Sequence, residues 1–328
     1  MRFVSIKSAP RSLAIVAFVA IVAIFAGTLT FSAKASARPA TKVFLNGVPS
    51  PVYFNDGDSF TVLGGPYAGS KARLAGFNTL ESYGGVHFWG DWTPHELYIN
   101  AKMGTLNARR GVWRCTSDLS RDGYGRILWD CPGLTMSQVR LGLAHAMTVT
   151  PNPSSPELLA AQHAAQRERR GMWAHGVPEF VLTSTHSASE PYFRGRPYNR
   201  LVSSKDGHSE KWRHGSTYAE CENVCRVDRV FDESRLVAAA QRLREYPELR
   251  EMLAPYSDVY LLNVIGEYAR CEEMAYMKDK AHVDPVKARL EELAKEGAFG
   301  SYTEVPGACM VFVDFKRRYG QRAAACLP

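Results

Sequence analysis

Strand-like runs broken by turn residues occupy the chain from Lys42 to Phe77, and this pattern restricts the fold more than any other feature of the sequence. Turn signals such as Asn46-Gly47 and Gly64-Gly65-Pro66 separate the runs. The runs that we interpret as strands are Val43 to Leu45, Ser59 to Leu63 and Ala72 to Phe77. Short consecutive strands joined by tight turns predict a twisted antiparallel meander or a small barrel.

The segment after Phe77 alternates between helix and strand patterns. In the first helix, Ile99, Met103 and Leu106 recur at intervals of four and three. The expected elements, in order, are an irregular loop over 82–93, a helix that Pro94 opens, strands at 112–115 and 126–131 around an Asp122-Gly123 turn, and helices at 136–144 and 156–173. Together these elements predict an α+β fold, a five-stranded barrel of the oligonucleotide- and oligosaccharide-binding (OB) kind packed by helices.

Residues 1–37 are typical of an export signal. A positive flank precedes the almost wholly apolar run Leu13 to Phe31, and two small-x-small sequences between Ala33 and Ala37 offer cleavage sites. The alternative is an uncleaved membrane anchor, because the apolar run of 19 residues approaches the roughly 20 that cross a bilayer. Both interpretations predict an exported protein, either periplasmic or secreted, or anchored by residues 13–31.

Seven cysteines in an exported chain favour disulfides over metal sites. Cys115 and Cys131 flank the predicted hairpin, and we expect a cross-strand disulfide between them, with two buried thiols as the alternative. Two further disulfides are expected among the five cysteines beyond residue 220. A competing zinc site would use His208, His214, Cys221 and Cys225, although their spacing is irregular.

The basic surplus of the chain lies near its beginning. The formal net charge is +7, and the segment from Arg38 to Pro178 holds 14 basic and 10 acidic residues. A surplus confined to one segment is the pattern expected if that segment alone meets phosphates. The domain prediction follows: a first domain over 42–178, a polar linker over 179–216, and a disulfide-containing, mainly α-helical domain over 217–328.

Five short motifs follow one another in a fixed order through the first domain. They are Asp56-Gly57-Asp58-Ser59-Phe60, Arg73-Leu74-Ala75-Gly76-Phe77-Asn78-Thr79-Leu80-Glu81, Asp122-Gly123-Tyr124-Gly125-Arg126, Val139-Arg140-Leu141-Gly142-Leu143-Ala144 and Gly171-Met172-Trp173. In order and spacing they resemble the blocks of the staphylococcal nuclease (thermonuclease) family over about residues 42–173. Each motif alone is frequent in turns, whereas their ordered conjunction is specific.

The residue types suit phosphodiester hydrolysis without the family. That reaction needs a hard cation with oxygen ligands, a base for water, and fixed positive charge facing the phosphoryl oxygens. The oxygen atoms could come from Asp58, Asn78 and Glu81. The fixed positive charge could come from Arg73 and Arg126. Arginine suits the task because its planar fork can grip two phosphate oxygens.

The resemblance implies a role for each of these positions. Asp58 would bind Ca²⁺ through its carboxylate and Thr79 through its backbone carbonyl, while Glu81 would orient or deprotonate the nucleophilic water. Arg73 and Arg126 would clamp the scissile phosphate, and Tyr124 would contact a nucleotide phosphate. The alternatives are that Asp58 shapes a turn, that Tyr124 packs, and that Arg126 pairs with Asp122 at the surface.

Position 78 departs from the family pattern. The family usually has an aspartate where this chain has Asn78, so one anionic metal ligand has become a neutral amide. Calcium accepts amide oxygens, but a lost negative charge predicts weaker binding.

The sequence therefore predicts an exported, calcium-dependent endonuclease acting on DNA or RNA. One alternative is a degenerate nuclease that keeps the OB barrel as a nucleic-acid-binding module. Another gives the helical domain the main role, as a module for an unidentified protein partner. A membrane contact is expected if residues 1–37 remain uncleaved.

Overall fold

The computed structural model describes residues 40–191, 197–272, 274, 277, 280–314 and 324–327. The predicted signal segment, residues 1–37, lies outside them. The strands are β1 Thr41–Leu45, β2 Val48–Asp56, β3 Ser59–Val62, β4 Lys71–Leu74, β5 Phe77–Thr79, β6 His87–Phe88, β7 Trp113–Cys115, β8 Ile127–Trp129, β9 Ala144–Ala146, β10 Phe180–Ser184, β11 Tyr198–Ser203, β12 Ser209–Arg213, β13 Asn223–Phe231 and β14 Tyr302–Val311. The helices are α1 Pro94–Arg110, α2 Pro132–Arg140, α3 Pro156–Arg167, α4 Glu233–Glu245, α5 Arg250–Leu253, α6 Asp258–Ala269 and α7 Lys280–Lys295.

The predicted meander forms the centre of a six-stranded sheet with the order β7-β1-β2-β3-β4-β8. Strands β1 to β4 pair antiparallel, whereas β7 and β8 join the two edges in parallel. The α+β class is thus confirmed, but a closed five-stranded barrel is not, because the sheet is open and has six strands. The edge strands approach each other through an isolated bridge between Thr116 and Asp130.

Strand β2 is the element that raises the count to six. The sequence pattern does not predict this strand because it contains Pro49 and Pro51, and proline has no backbone N–H to donate to a neighbouring strand. The Pro51 carbonyl accepts from the Leu63 nitrogen at 2.8 Å, so the Pro51 ring nitrogen points to the same side. The last paired residues of β2 and β3 are Val52 and Val62. Pro51 lies just beyond this pair, so its missing N–H removes no hydrogen bond between the two strands.

Helix α1 begins where the sequence predicts, at Pro94, but buries a different face. The Thr93 hydroxyl accepts from the Glu96 nitrogen and the Glu96 carboxylate accepts from the Thr93 nitrogen, a capping box. The predicted apolar face is exposed. The residues that face the core are instead small or polar for the most part: Leu97, Asn100, Ala101, Gly104, Thr105 and Ala108.

The segment predicted as one helix over 136–144 divides into two elements. Helix α2 starts earlier, at Pro132, and ends at Arg140, after which Gly142 adopts a positive φ of 66°. Residues 144–146 form β9, which pairs antiparallel with β5. This small pair places Asn78 directly opposite His145.

Residues 179–216, which we predicted to be a linker, carry the antiparallel sheet β10-β11-β12. Their polar composition misleads because polar side chains are buried in this sheet, including Asn199, Ser209 and Glu210. The predicted helical domain over 217–328 also contains strands. The long pair β13 and β14 extends to β6, which lies within the predicted first domain.

Strand β13 was not predicted from the sequence because charged side chains lie on its inward face. Arg226 and Asp228 are buried, whereas Val227 between them is 55% exposed. This arrangement inverts the usual alternation, in which apolar side chains point inward. Among the helices, α4 is capped by Asp232 and α6 by Ser257, whose side chains accept from backbone nitrogens of the first turn. Helix α7 contains Pro285 inside it.

Three hydrophobic clusters stabilise the described chain. One fills the six-stranded sheet and a second joins helices α4 to α7. The third combines Trp89 and Trp173 with Leu201 and Met310. This cluster crosses the predicted domain boundary at residue 178, and residues 40–328 form one compact unit.

Three disulfides confirm the interpretation of the cysteines. Cys115 bonds to Cys131, Cys221 to Cys326 and Cys225 to Cys309. The zinc alternative is therefore wrong, since two of its ligands are oxidised. Three disulfides indicate an oxidising compartment, extracellular or periplasmic. Within the described part of the chain, no helix has the length and apolar character needed to span a membrane.

The Cys115–Cys131 bond joins the two edges of the sheet, and its removal tests that role. Replacing both residues by serine should lower the free energy of unfolding by about 3 kcal/mol, because the bond closes a loop with a sequence separation of 16. Urea unfolding of the wild type and of the double variant measures the difference. A change of less than about 1 kcal/mol would show that the edges are held by other contacts.

Candidate functional site

The turn between β2 and β3 carries the first part of the candidate site. Asp56 pairs with Ser59 across this turn, and Gly57 and Asp58 form its tip. A Cβ atom at Gly57 would lie 2.5 Å from a Thr79 methyl group and 3.1 Å from the α1 backbone at Gly104. Only glycine fits this gap. The turn is therefore packed directly against the segment that follows β4 and against α1.

Gln138 locks the turn in this position. Its side-chain nitrogen donates to the Gly57 carbonyl at 3.2 Å and to the Gly104 carbonyl at 2.8 Å. Gln138 is fully buried, so these bonds are made away from competing water. Helix α2 thereby ties the turn to α1.

Arg73 bridges the turn and strand β5. One terminal nitrogen of its guanidinium lies 2.5 Å from Asp58 Oδ1, and the other donates to Asn78 Oδ1 at 2.5 Å. The second oxygen of Asp58 accepts from the Thr79 backbone nitrogen at 2.9 Å. Four of the residues singled out in the sequence thus meet: Asp58, Arg73, Asn78 and Thr79.

Glu81 and Asp56 complete this group electrostatically. The pKa of Asp56 is raised well above its ordinary value by burial and by the negative charges of Asp58 and Glu81. The pKa of Arg73 is raised despite its burial, because Asp58, Asp56 and Glu81 stabilise the guanidinium. Three carboxylates therefore surround one cation. We call Asp56, Asp58, Arg73, Asn78, Thr79 and Glu81 the acidic cluster.

His145 is a neighbour of this cluster that sequence reasoning missed. Burial lowers its pKa to about 4, so the ring is neutral near pH 7. Its Nδ1 donates to the Ala146 carbonyl at 3.1 Å, which leaves Nε2 as an acceptor 3.4 Å from the Asn78 amide nitrogen. The sequence signal is weak, since a single histidine between two alanines is also typical of a core.

The hydrogen bonds of Asn78 explain why an amide suits this position. Its Nδ2 donates to the Thr79 carbonyl at 2.8 Å and faces His145, while its Oδ1 accepts from Arg73. An aspartate here would set a carboxylate oxygen against the Thr79 carbonyl oxygen. That contact would be repulsive unless a cation lay between the two oxygens.

Arg126 and Tyr124 form a separate group in the connection from β7 to β8. Asp122 accepts from Arg126 Nε at 2.7 Å, which is the pairing expected if Arg126 serves the turn. The Arg126 guanidinium also lies 5.4 Å from the centre of the Tyr124 ring, which is 70% exposed. Leu128 pairs with Arg73 across β8 and β4, and Arg126 precedes Leu128 by two residues.

The acidic cluster has the donor chemistry of a hard-cation site. Within the described residues there is no group of three or more His, Cys, Asp or Glu side chains placed to hold a metal ion together. The predicted ligands are instead of mixed type, one carboxylate (Asp58), one amide (Asn78) and one backbone carbonyl (Thr79), and such oxygens are those that calcium accepts. Burial, followed by the negative charges of Asp58 and Glu81, raises the pKa of Asp56 in this cluster.

A cavity lies where the two edges of the six-stranded sheet approach each other. Its volume is about 500 Å³, and it is lined by Ala75, Thr116, Ser117, Asp118, Ser120, Leu128, Trp129 and Asp130. Two aspartates make this lining unsuitable for a phosphate group. We therefore assign it no part in the site.

A second set of buried charges lies between β12, β13 and α6. The His208 ring lies 2.5 Å from Asp206 and 3.0 Å from Glu210. Arg270 also pairs with Glu210, and Arg226 lies 2.6 Å from Glu272. These ion pairs connect the strands to α6, which is a structural role.

No protein-family model matches the chain, and no curated protein does either.

The buried His208 makes the stability of the fold depend on pH. Burial opposes its charge, but Asp206 and Glu210 raise its pKa above 6.5. Its stabilising effect is therefore complete below the unfolded pKa and is lost as pH rises through the folded pKa. Replacing His208 by glutamine should lower the free energy of unfolding more at pH 5.5 than at pH 9, which denaturant titrations at the two pH values will measure. An equal loss at both would show that His208 acts by packing alone.

Proposed function

We propose that this protein is an exported, calcium-dependent endonuclease that hydrolyses phosphodiester bonds of DNA or RNA, built on an OB-like sheet of the staphylococcal nuclease type. One observation supports it most. Arg73, held by Asp58 and Asn78, lies within electrostatic reach of Glu81, although the sequence separates Asp58 from Glu81 by 23 positions. A fixed cation beside a carboxylate base is the arrangement that phosphodiester hydrolysis requires.

Arg73 is the residue that would stabilise charge on the phosphoryl group. Its side chain is 18% exposed, so part of the guanidinium is accessible while Asp58 holds the rest in place. Preorganised charge of this kind needs no rearrangement as the transition state forms. Its pKa is raised, so the side chain stays charged at every working pH.

Glu81 would act as the base toward water. Its side chain is half-buried, and its backbone nitrogen donates to His87 Nε2 at 3.2 Å, which fixes the segment after β5. Glu81 also lies close enough to Arg73 to help raise the pKa of that guanidinium. A carboxylate is one of the groups that can accept a proton from an attacking water.

Asp58, Asn78 and the Thr79 carbonyl would hold the calcium ion, which supplies a Lewis acid for the phosphoryl oxygens. Asp56, at the start of the same turn, would add negative charge to the site. In the proposal, Arg126 exchanges Asp122 for a substrate phosphate, and the exposed Tyr124 contacts the nucleotide.

A second candidate function is a nucleic-acid-binding module without catalysis. The Asn78 amide favours it, because its nitrogen already satisfies the Thr79 carbonyl that the calcium ion would use. The Asp58 oxygens are likewise bonded to Arg73 and to the Thr79 nitrogen. Protein donors thus replace the ion in part, and the two candidates differ in whether cleavage accompanies binding.

The role of Glu81 is tested by its isosteric amide. Glu81→Gln should lower the calcium-dependent cleavage rate of plasmid DNA by about 10²- to 10⁴-fold, the usual contribution of a general base, while leaving DNA binding almost unchanged. Glu157→Gln, at an exposed site in the first turn of α3, is the matched control. Undiminished cleavage by Glu81→Gln would assign the base to another residue, whereas wild-type protein that binds DNA without cutting it would support the binding module instead.

The calcium site is tested at Asn78. Asn78→Asp should lower the calcium concentration for half-maximal cleavage roughly tenfold, because it adds a full negative charge to the ligand set. It should also make thermal stability more dependent on calcium, since the new carboxylate opposes the Thr79 carbonyl when no cation is bound. Asn152→Asp, in an exposed loop, is the control. If Asn78→Asp changes neither the calcium titration nor the melting curve, the ion binds elsewhere.

A further inference from the structure

Helix α1 exposes a continuous apolar stripe to solvent. Ile99, Met103 and Leu106 are 48%, 44% and 38% exposed, and their spacing places them on one face of the helix. We call these three residues the α1 stripe. Single exposed apolar residues are ordinary, but a row of three large aliphatic side chains marks an interaction surface.

Basic residues predominate along α1 and in the strand that follows it. The segment from Pro94 to Arg114 contains four basic residues, Lys102, Arg109, Arg110 and Arg114, against a single acidic residue, Glu96. Lys102 lies 4.2 Å from the centre of the Tyr83 ring and 4.8 Å from that of Tyr98. An apolar row edged by cations and tyrosines is the composition of a helix that lies in a bilayer interface.

We propose that the α1 stripe and its cations form a docking surface for anionic lipid bilayers, with α1 lying in the plane of the headgroups. The aliphatic side chains would enter the acyl boundary, while Arg110 and Arg114 would contact lipid phosphates. The exposed Val112, between those two arginines, extends the apolar surface beyond the end of the helix.

A lipid surface fits these features better than a second copy of the chain. A two-fold interface would bring together two surfaces that each have four basic residues and one acidic residue, and like net charges oppose each other. Nucleic acid would use the cations but would leave Ile99, Met103 and Leu106 exposed, since aliphatic side chains provide no stacking platform for bases. A bilayer uses both parts of the surface.

Vesicle binding tests the proposal on the chain from Ala40 onward, which forms one compact unit with its own cores. We expect it to sediment with vesicles that contain phosphatidylglycerol, less so as salt is raised, and weakly with phosphatidylcholine alone. Replacing Ile99, Met103 and Leu106 by serine should weaken binding at least about tenfold. Arg110→Gln with Arg114→Gln should weaken it about fivefold for each charge removed.

Arg140→Gln with Leu141→Ser provides the matched control, because it removes an exposed cation and an exposed leucine elsewhere. Its vesicle binding should equal that of the wild type, and melting curves should show that every variant is folded. Absence of wild-type binding to anionic vesicles, or equal binding by the serine variant, would overturn the proposal. A dimer in light scattering that the serine variant abolishes would assign the surface to a second copy, and a loss of DNA binding alone would assign it to nucleic acid.

Discussion

The ion pair between Arg73 and Asp58 is the interaction on which the rest of the candidate site depends. Removing two charges from water is costly, and such a pair is favourable only when further hydrogen bonds satisfy both partners. Here the Thr79 nitrogen and Asn78 supply them. The pair also offsets the repulsion among Asp56, Asp58 and Glu81. The three carboxylates in turn raise the pKa of Arg73, which keeps the guanidinium charged despite its burial.

The fold supplies this pair through several independent constraints. Strands β3 and β4 align Ser59 with Arg73, so the guanidinium emerges beside the turn that carries Asp58. The absence of a side chain at Gly57 allows the turn to approach α1, and Gln138 fastens both to α2. The Cys115–Cys131 disulfide joins the sheet edges next to the connection that holds Arg126. Each of these contacts positions a charge rather than merely filling the core.

The elements around the motifs were predictable because turn chemistry is local. Asp56 to Ser59 and Asn46-Gly47 form turns where their residue types indicate, and Pro94 starts a helix. Features that depend on distant partners were not predictable. His145 could be connected with the site only through the β5–β9 pair, which places it opposite Asn78. Strand β2 contains prolines, and only its pairing with neighbouring strands identifies it as a strand. The stripe of α1 has a helical period, but period alone does not say which face meets the core. Strand β13 was missed because its buried side chains are charged and find their partners on other elements.

The most direct test of this account is cleavage itself. The chain from Ala40 onward should be incubated with plasmid DNA and with RNA across a series of calcium concentrations, and the ends of any fragments identified. We expect cutting to require calcium and to stop when a chelator is added. Intact nucleic acid at every calcium concentration, or cutting that a chelator does not affect, would contradict it.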